Sequence, residues 1–279
     1  MKKIAIIGSG FSALASACYL AKEGNDVTIY EKNGDVGGRA RRYQKDGFTF
    51  DIGPTFYWMP DVFERFFNDF GKKQRDYYTI DRLNPGYEVY FGIKDSFKIS
   101  SDVEEIVALF EEEESGAGDK LRAFLKQAQD NYDIAVKDIV YKPGVSPLEL
   151  VTPETIARLH LLLTNIQGQI RRKIKSKKLR KVLEFPVLFL GAKPSNTPAL
   201  YNFMNWADFG LGTWHPRGGM YSVVLGIKKL AEELGVKFET NANVEQIILE
   251  KDSATGLRIR GNQLPADIIL SGADYHHTE

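Results

Sequence analysis

Gly8-Ser9-Gly10-Phe11-Ser12-Ala13, followed eighteen positions later by Glu31, is the first group of residues in this chain whose types and spacing could do chemistry. It has the form of a dinucleotide fingerprint, GxGxxA and then an acid. In that pattern Gly8 allows a tight turn, Gly10 lets the backbone approach a pyrophosphate, and Ala13 is small enough for a helix to pack closely on its strand. Ser12 sits at the start of that helix, whose first amides would face the phosphates with the positive end of the helix dipole behind them. Glu31 would accept hydrogen bonds from an adenosine ribose, with Lys32 next to it. A carboxylate there disfavours a 2′-phosphate, and so NADP. Six residues beyond Glu31, Gly37-Gly38-Arg39-Ala40 offers a second close backbone approach, with Arg39 placed to meet phosphate or ribose oxygens.

These residues need a strand–turn–helix–strand unit to position them, and the surrounding sequence reads as one. Residues 3–7, KIAII, have the β-branched, apolar character of a buried parallel strand. Residues 14–23 carry helix formers up to Gly24, and DVTIY (26–30) reads as the second strand. GFTFDIG (47–53) suggests a further strand running into a Gly53–Pro54 turn, Asp61 to Phe70 a helix, and Tyr87 to Ile99 a hairpin. Ser101, with Glu104 as capping-box partner, is the expected N-cap of the next helix. Residues 119–184 are mainly helical in pattern. From Gly218 the α/β character returns, with a helix over 220–234 and strands over 236–239, 243–249, 256–260 and 266–271. The expected fold is α/β: a Rossmann-like dinucleotide-binding domain with an inserted mixed α+β and helical domain. Its segments are expected at 1–85, 86–215 and 216–279. The chain ends just after ADIILSGAD (266–274), where such a domain would lead into more sheet, so a C-terminal part is expected to be lacking.

Of 279 residues, 37 are Lys or Arg and 37 are Asp or Glu, a balance that argues against a dedicated nucleic-acid binder. Hydrophobic residues at 43% and charged residues at 27% describe an ordinary globular chain. The single Cys18 excludes a disulfide framework within the chain and a thiol-based zinc or iron–sulfur site, and suits a reducing, cytoplasmic setting. No apolar run approaches the ~20 residues of a membrane span. MKKIAIIGSG is not read as a signal peptide, because Gly8 and Gly10 break its apolar run. His160, His215, His276 and His277 show no metal-site spacing, and no metal is expected. Asp133, Asp138 and Arg217 are acid or base candidates by neighbourhood only, and read more readily as surface or capping charges. The aromatics of TFYWMP (55–60) fit a hydrophobic tunnel or an ordinary core equally. RRKIKSKKLRK (171–181) has eight basic residues in eleven, interleaved with Ile174 and Leu179, and follows the apolar LHLLLTNI (159–166). That pattern suits a surface helix on anionic headgroups, or a solvated basic face.

GxGxxA…E…GGRA resembles the flavoproteins that include amine oxidases, protoporphyrinogen oxidases and carotenoid desaturases. GFTFDIGPTFYWMPDVFERFFNDFGKK (47–73), VYKPG (140–144), EFPVLFLGAKPSNTPALY (184–201) and LGTWHPRGGMYSVV (211–224) are similar to bacterial-type phytoene desaturases. The likeness extends to NANVEQI and the terminal SGADYHHT, although Ala13 stands where that family often has Gly. The resemblance implies non-covalent FAD, with Gly8, Gly10, Ser12 and Ala13 on the pyrophosphate, Glu31 on the ribose, and Gly38 and Arg39 closing the phosphate side. It implies Gly53, Pro54 and Thr55 near the flavin ring, Val244 meeting adenine through its backbone, and Ala273 and Asp274 bordering the adenosine. The implied reaction is desaturation of a phytoene-like C40 hydrocarbon towards lycopene in carotenoid biosynthesis. Quinone or oxygen would be the electron acceptor, and the location would be cytoplasmic and peripheral to a membrane. Two alternatives stand beside it: a desaturase of a modified, for example hydroxylated, carotenoid, and a non-catalytic isoprenoid-binding protein of the same architecture. The intact Glu31 and GGRA argue against the second.

Overall fold

Strand Lys3–Ile7 is apolar after its first residue because it has a parallel neighbour on each side; Ile4, Ala5 and Ile6 are buried. The four strands run in the spatial order Ile268–Ser271, Lys3–Ile7, Asp26–Tyr30, Lys237–Glu239, all parallel. Ile4 pairs with Val27 on one side and Ile268 on the other. The fold is therefore α/β and Rossmann-like. The computed structural model describes residues 1–136, 139–143, 145–146 and 151–278. The chain divides into one unit of Met1–Asp81 with His215–Glu279, and a second of Arg82–Trp214; the boundaries expected from the sequence fall at 85/86 and 215/216.

In the first unit, helix Phe11–Lys22 buries Ala13, Leu14, Ala17 and Cys18 on one face, the i, i+1, i+4, i+5 spacing of an amphipathic helix. Burial pushes the Cys18 thiol up to about 12, so it acts as a small apolar packer rather than a nucleophile. Helix Tyr221–Glu233 buries Val223, Val224, Ile227 and Leu230 in the same way. Beyond the parallel sheet, Val244–Glu250, Ser253–Ile259 and Asn262–Pro265 form an antiparallel sheet whose Leu257 and Ile259 pack with Ala5 and Ala242. The strand Asn262–Pro265 has no counterpart in the sequence reading. Nor does Arg42–Lys45, which pairs with Phe48–Asp51 across an Asp46–Gly47 turn with both residues left-handed (φ 51° and 82°). That is the backbone of a two-residue hairpin whose twist suits its strands.

The second unit joins hairpin Tyr87–Gly92 and Asp95–Ile99 to helices Val103–Glu113, Ala117–Ala135, Ile166–Lys173 and Lys177–Glu184. The N-cap of the first of these helices is Asp102, whose carboxylate accepts the Glu104 N–H at 2.8 Å, and not Ser101. The basic stretch 171–181 is two helices rather than one. Ile174 and Leu179, expected to interleave with lipid-facing charges, are buried in the core with Phe97, Phe110, Leu121 and Phe124. No helix among the described residues is long and apolar enough to cross a membrane.

Candidate functional site

The strand Lys3–Ile7 ends in a turn that only glycine enters freely: Gly8 has φ 84°, and its N–H donates to the Tyr30 carbonyl at 2.8 Å. Helix Phe11–Lys22 follows, with Gly10 as an N-cap that has no side chain to offer and no acid in its first turn. The orphan amides of that turn are thus left for a ligand. A Cβ placed on Gly10 would meet nothing within 4 Å, so the turn opens onto free space. Ser12 lies exposed on it, and Ala13 is buried beneath it. A Cβ on Gly272 would stand 2.7 Å from the Ala13 Cβ, which ties the end of strand Ile268–Ser271 to this helix and explains the small residue at 13.

Gly37 and Gly38, at φ 117° and 56°, bring the second glycine turn against the first. A Cβ on Gly38 would lie 3.0 Å from the Gly10 Cα, and the Gly37 N–H donates to the Ser9 carbonyl at 2.9 Å. Gly53, expected near a flavin ring, packs against this turn: a Cβ there would stand 1.9 Å from the Arg39 carbonyl oxygen. Pro54 and Thr55 follow it on the surface. Just before it, the Asp51 carboxylate accepts the amides of Met220 and Tyr221 at 2.8 and 3.2 Å, capping helix Tyr221–Glu233.

Glu31 is 4% exposed and its carboxylate accepts four hydrogen bonds. Oε2 takes the Ser9 N–H at 3.0 Å and the Ser9 hydroxyl at 2.6 Å. Oε1 takes the Asn33 N–H at 2.9 Å and the Asn33 Nδ2 at 2.6 Å. The Ser9 Oγ also accepts the Gly37 N–H at 3.3 Å, so one side chain ties both glycine turns to the acid. Ser9 and Asn33 were not singled out from the sequence; the signal was a polar residue inside the GxG and another two positions after the acid. The Ala242 and Asn241 amides donate to the carbonyls of Glu31 and Asn33 at 2.8 and 3.0 Å, which lays the lead-in to Val244 beside the acid. Val244 itself is half-buried and opens the antiparallel sheet opposite Ile259. Lys32 is exposed. The Arg39 guanidinium is 90% exposed and meets the Asp274 carboxylate at 2.7 Å, with Ala273 exposed alongside.

The other candidates are placed differently. Arg217 forms a two-pronged pair with Asp81 at 2.8 Å on both arms, which accounts for it without a substrate. Asp133 is half-buried in helix Ala117–Ala135. Asp138, Gly144 of VYKPG and the His277 side chain lie outside the described residues. In TFYWMP, Tyr57 is core: it stacks on Phe63 at 4.7 Å and its hydroxyl lies 2.9 Å from that of Tyr78. Phe56 and Trp58 are half-buried and meet edge to face at 5.6 Å. In the second unit, the sequence gives no sign of Asp208, which is buried with its oxygens 2.5 Å from the Tyr87 hydroxyl and 3.3 Å from that of Thr213. Burial raises its carboxyl to about 7.

An open glycine turn on an uncapped helix, a buried oriented acid, and a second glycine turn in contact with the first define a Rossmann-like dinucleotide-binding protein. Residues 6–70 match the family model described as an NAD(P)-binding Rossmann-like domain. The chain is 40% identical over 279 residues to a carotenoid 3,4-desaturase of Haloarcula japonica, covering 99% of this chain and 56% of the relative. It is 35% identical to a 4,4'-diapophytoene desaturase of Staphylococcus haemolyticus and 32% to a zeta-carotene-forming phytoene desaturase of Myxococcus xanthus, covering 98% of this chain and 55% and 53% of those relatives. By sequence, then, the chain is similar to carotenoid desaturases along its own length. It spans about half the length of the curated relatives it matches. Among solved structures, putrescine oxidase bound to putrescine superposes with a TM-score of 0.62 at 18% identity, covering 100% of this chain and 60% of that one. A Rab GDI of Plasmodium falciparum superposes with a TM-score of 0.60 at 13% identity, covering 99% and 66%. The fold is thus shared by proteins of different kinds, and it is the sequence relatives that narrow the reading.

Proposed function

We propose that this chain carries the FAD-binding and substrate-contacting parts of an oxidoreductase that desaturates CH–CH bonds of a carotenoid hydrocarbon, phytoene towards lycopene. The observation that carries the reading is the buried, fully hydrogen-bonded Glu31 beside an uncapped glycine turn, in a chain homologous to carotenoid desaturases. The cradle fits a dinucleotide, since Gly10 leaves open the space in front of the helix amides. FAD, when bound, supplies the two-electron acceptor that a desaturation needs. The first-turn amides of Phe11–Lys22, Ser12 among them, would hold the diphosphate, with Arg39 supplying a positive charge to it. Glu31 would accept from the ribose, and the backbone leading to Val244 would border the adenosine with Ala273 and Asp274. The protein's remaining tasks are orientation and exclusion of water. A carbocation beside a polyene gives up its proton readily, so no residue is assigned as a strong base.

A C40 hydrocarbon resides in a bilayer, and the second unit exposes apolar side chains suited to reaching one. Ile156, Leu159, Leu162 and Leu163 are exposed, as are Leu188, Phe189 and Leu190. The basic stretch 171–181 follows the first group, though Lys178 is held by Asp95 and Glu113, and Arg171 and Lys181 by Glu184. The reading is a protein peripheral to the cytoplasmic face of a membrane, attached through residues 159–181 and their apolar neighbours, with quinone or oxygen as final acceptor. The 40% identity to a carotenoid 3,4-desaturase favours a second reading, a modified carotenoid as substrate. The test is a visible absorption spectrum of the purified protein with released flavin identified by mass, then incubation with phytoene or a hydroxylated carotenoid in liposomes. A flavin band and a product with a longer conjugated system are expected. A colourless protein that takes up no added FAD overturns the reading.

A further inference from the structure

We propose that Asn33 is a placeholder for the nucleotide ribose, its side-chain amide holding the one acceptor position on Glu31 that a sugar hydroxyl can take. The inference rests on the dinucleotide reading of the site. A carboxylate offers about four in-plane acceptor positions, and all four on Glu31 are filled within the chain, two by Ser9 and two by Asn33. Three of these donors are fixed. The Ser9 N–H belongs to the glycine turn. The Ser9 hydroxyl is buried and also accepts the Gly37 N–H. The Asn33 N–H belongs to a backbone whose carbonyl is held by the Asn241 amide. The fourth donor, Asn33 Nδ2, is the end of a half-buried side chain that leaves by rotating about two bonds.

A ribose hydroxyl therefore reaches Glu31 by exchange. One hydrogen bond to Oε1 is broken and one is made, and the net gain from the hydroxyl is small. A nucleotide lacking that hydroxyl leaves the Asn33 amide in place and loses little. Without the amide, the hydroxyl fills an acceptor that is otherwise buried and unpaired, and such a bond to a charged group is worth far more. Asn33 thus sets how strongly the site distinguishes ribose from deoxyribose.

The experiment is calorimetric titration of the 279-residue chain with ADP and with 2′-deoxy-ADP, for wild type, Asn33→Ala, Asn33→Gly and Glu31→Gln. Wild type is expected to prefer ADP by no more than about threefold, and Asn33→Ala and Asn33→Gly by about tenfold or more. Glu31→Gln sets an amide NH2 against the Ser9 or Asn33 donors, and is expected to lose most of its ADP affinity because the glycine turn they hold is disturbed, not because the ribose bond is lost. If wild type binds no ADP, or Glu31→Gln leaves ADP binding unchanged, the dinucleotide reading itself is wrong. If Glu31→Gln weakens ADP but the preference for ribose is the same in wild type and both Asn33 variants, the placeholder role alone is overturned.

Discussion

The Arg39 guanidinium stands 2.7 Å from the Asp274 carboxylate and joins residues 235 positions apart, one on the second glycine turn and one beyond the last strand of the parallel sheet. The arginine side chain is 90% exposed and the aspartate 48%, so the pair does little for stability; exposed ion pairs contribute about 0–1 kcal/mol. Its use lies in where it holds a cation. Arg39→Gln should shift the melting temperature by no more than about 4 °C, while ADP affinity falls about tenfold with the loss of a charge-assisted contact. Asp274→Asn should also leave stability nearly unchanged, but should bind ADP as well as wild type or slightly better, since an anion has gone. Thermal melts and calorimetry on the two variants check this. A matched loss of ADP binding in both variants would mean that the pair, and not the arginine, is what matters.

Where the backbone itself demands a residue type, the sequence was legible. Gly8 at φ 84° and the pair Gly37–Gly38 announce their turns because other side chains resist those conformations. The β-branched run of Lys3–Ile7 announces a strand with neighbours on both sides. Features set by distant partners were not legible. The spacing of Ile174 and Leu179 shows an amphipathic segment but not what covers it, and the cover is the core of the second unit. The Asp46–Gly47 hairpin signal lay in view and FTFD beyond it reads as a strand, yet its partner Arg42–Lys45, RYQK, has one apolar residue and no alternation to mark it. That Glu31 spends all four acceptor positions on Ser9 and Asn33 depends on rotamers, which spacing cannot express.

Gly53 offers a sharper test of how the two turns are built than the fingerprint glycines do. Its φ is unremarkable, but a side chain there would drive into the Arg39 carbonyl at 1.9 Å, a backbone atom that cannot rotate away. Gly53→Ala should therefore displace the Gly37–Arg39 turn, cost about 2–4 kcal/mol in urea unfolding, and reduce ADP binding. Gly10→Ala, with nothing within 4 Å of the new methyl, should leave stability within about 1 kcal/mol while blocking the approach of the diphosphate. Equal destabilisation by both substitutions would contradict the packing described.

Asp208 gives the second unit a pH signature. In the unfolded chain its carboxyl ionises near the ordinary 3.8, while in the folded chain burial, opposed by hydrogen bonds from Tyr87 and Thr213, holds the proton up to about 7. Between these values the folded state binds one proton more than the unfolded state, so stability falls as pH rises through that window and levels off above it. The slope is on the order of 1.4 kcal/mol per pH unit. Asp208→Asn, nearly isosteric and uncharged, should remove that slope. Urea midpoints of wild type and variant at pH 5, 6, 7 and 8 measure the difference directly, with other titrating groups cancelling. Parallel curves would show that Asp208 ionises normally.

Leu179 and Leu163 lie on neighbouring stretches of the second unit and separate core from surface. Leu179 is fully buried among Phe124, Ile170 and Leu183, and Leu179→Ala should open a cavity and cost about 2–5 kcal/mol. Leu163 is 79% exposed, and Leu163→Asp should leave stability within about 0.5 kcal/mol. Their effects on membranes should run the opposite way. The surface change should weaken sedimentation with anionic vesicles, since it puts a negative charge where apolar contact and basic neighbours attract the bilayer. The core change, assayed below its melting temperature, should bind vesicles as wild type does. Binding should also weaken with added salt for wild type. Vesicle binding that is indifferent to Leu163→Asp, or equally strong on neutral and anionic lipid, would move the contact surface away from residues 156–163 and the basic stretch that follows.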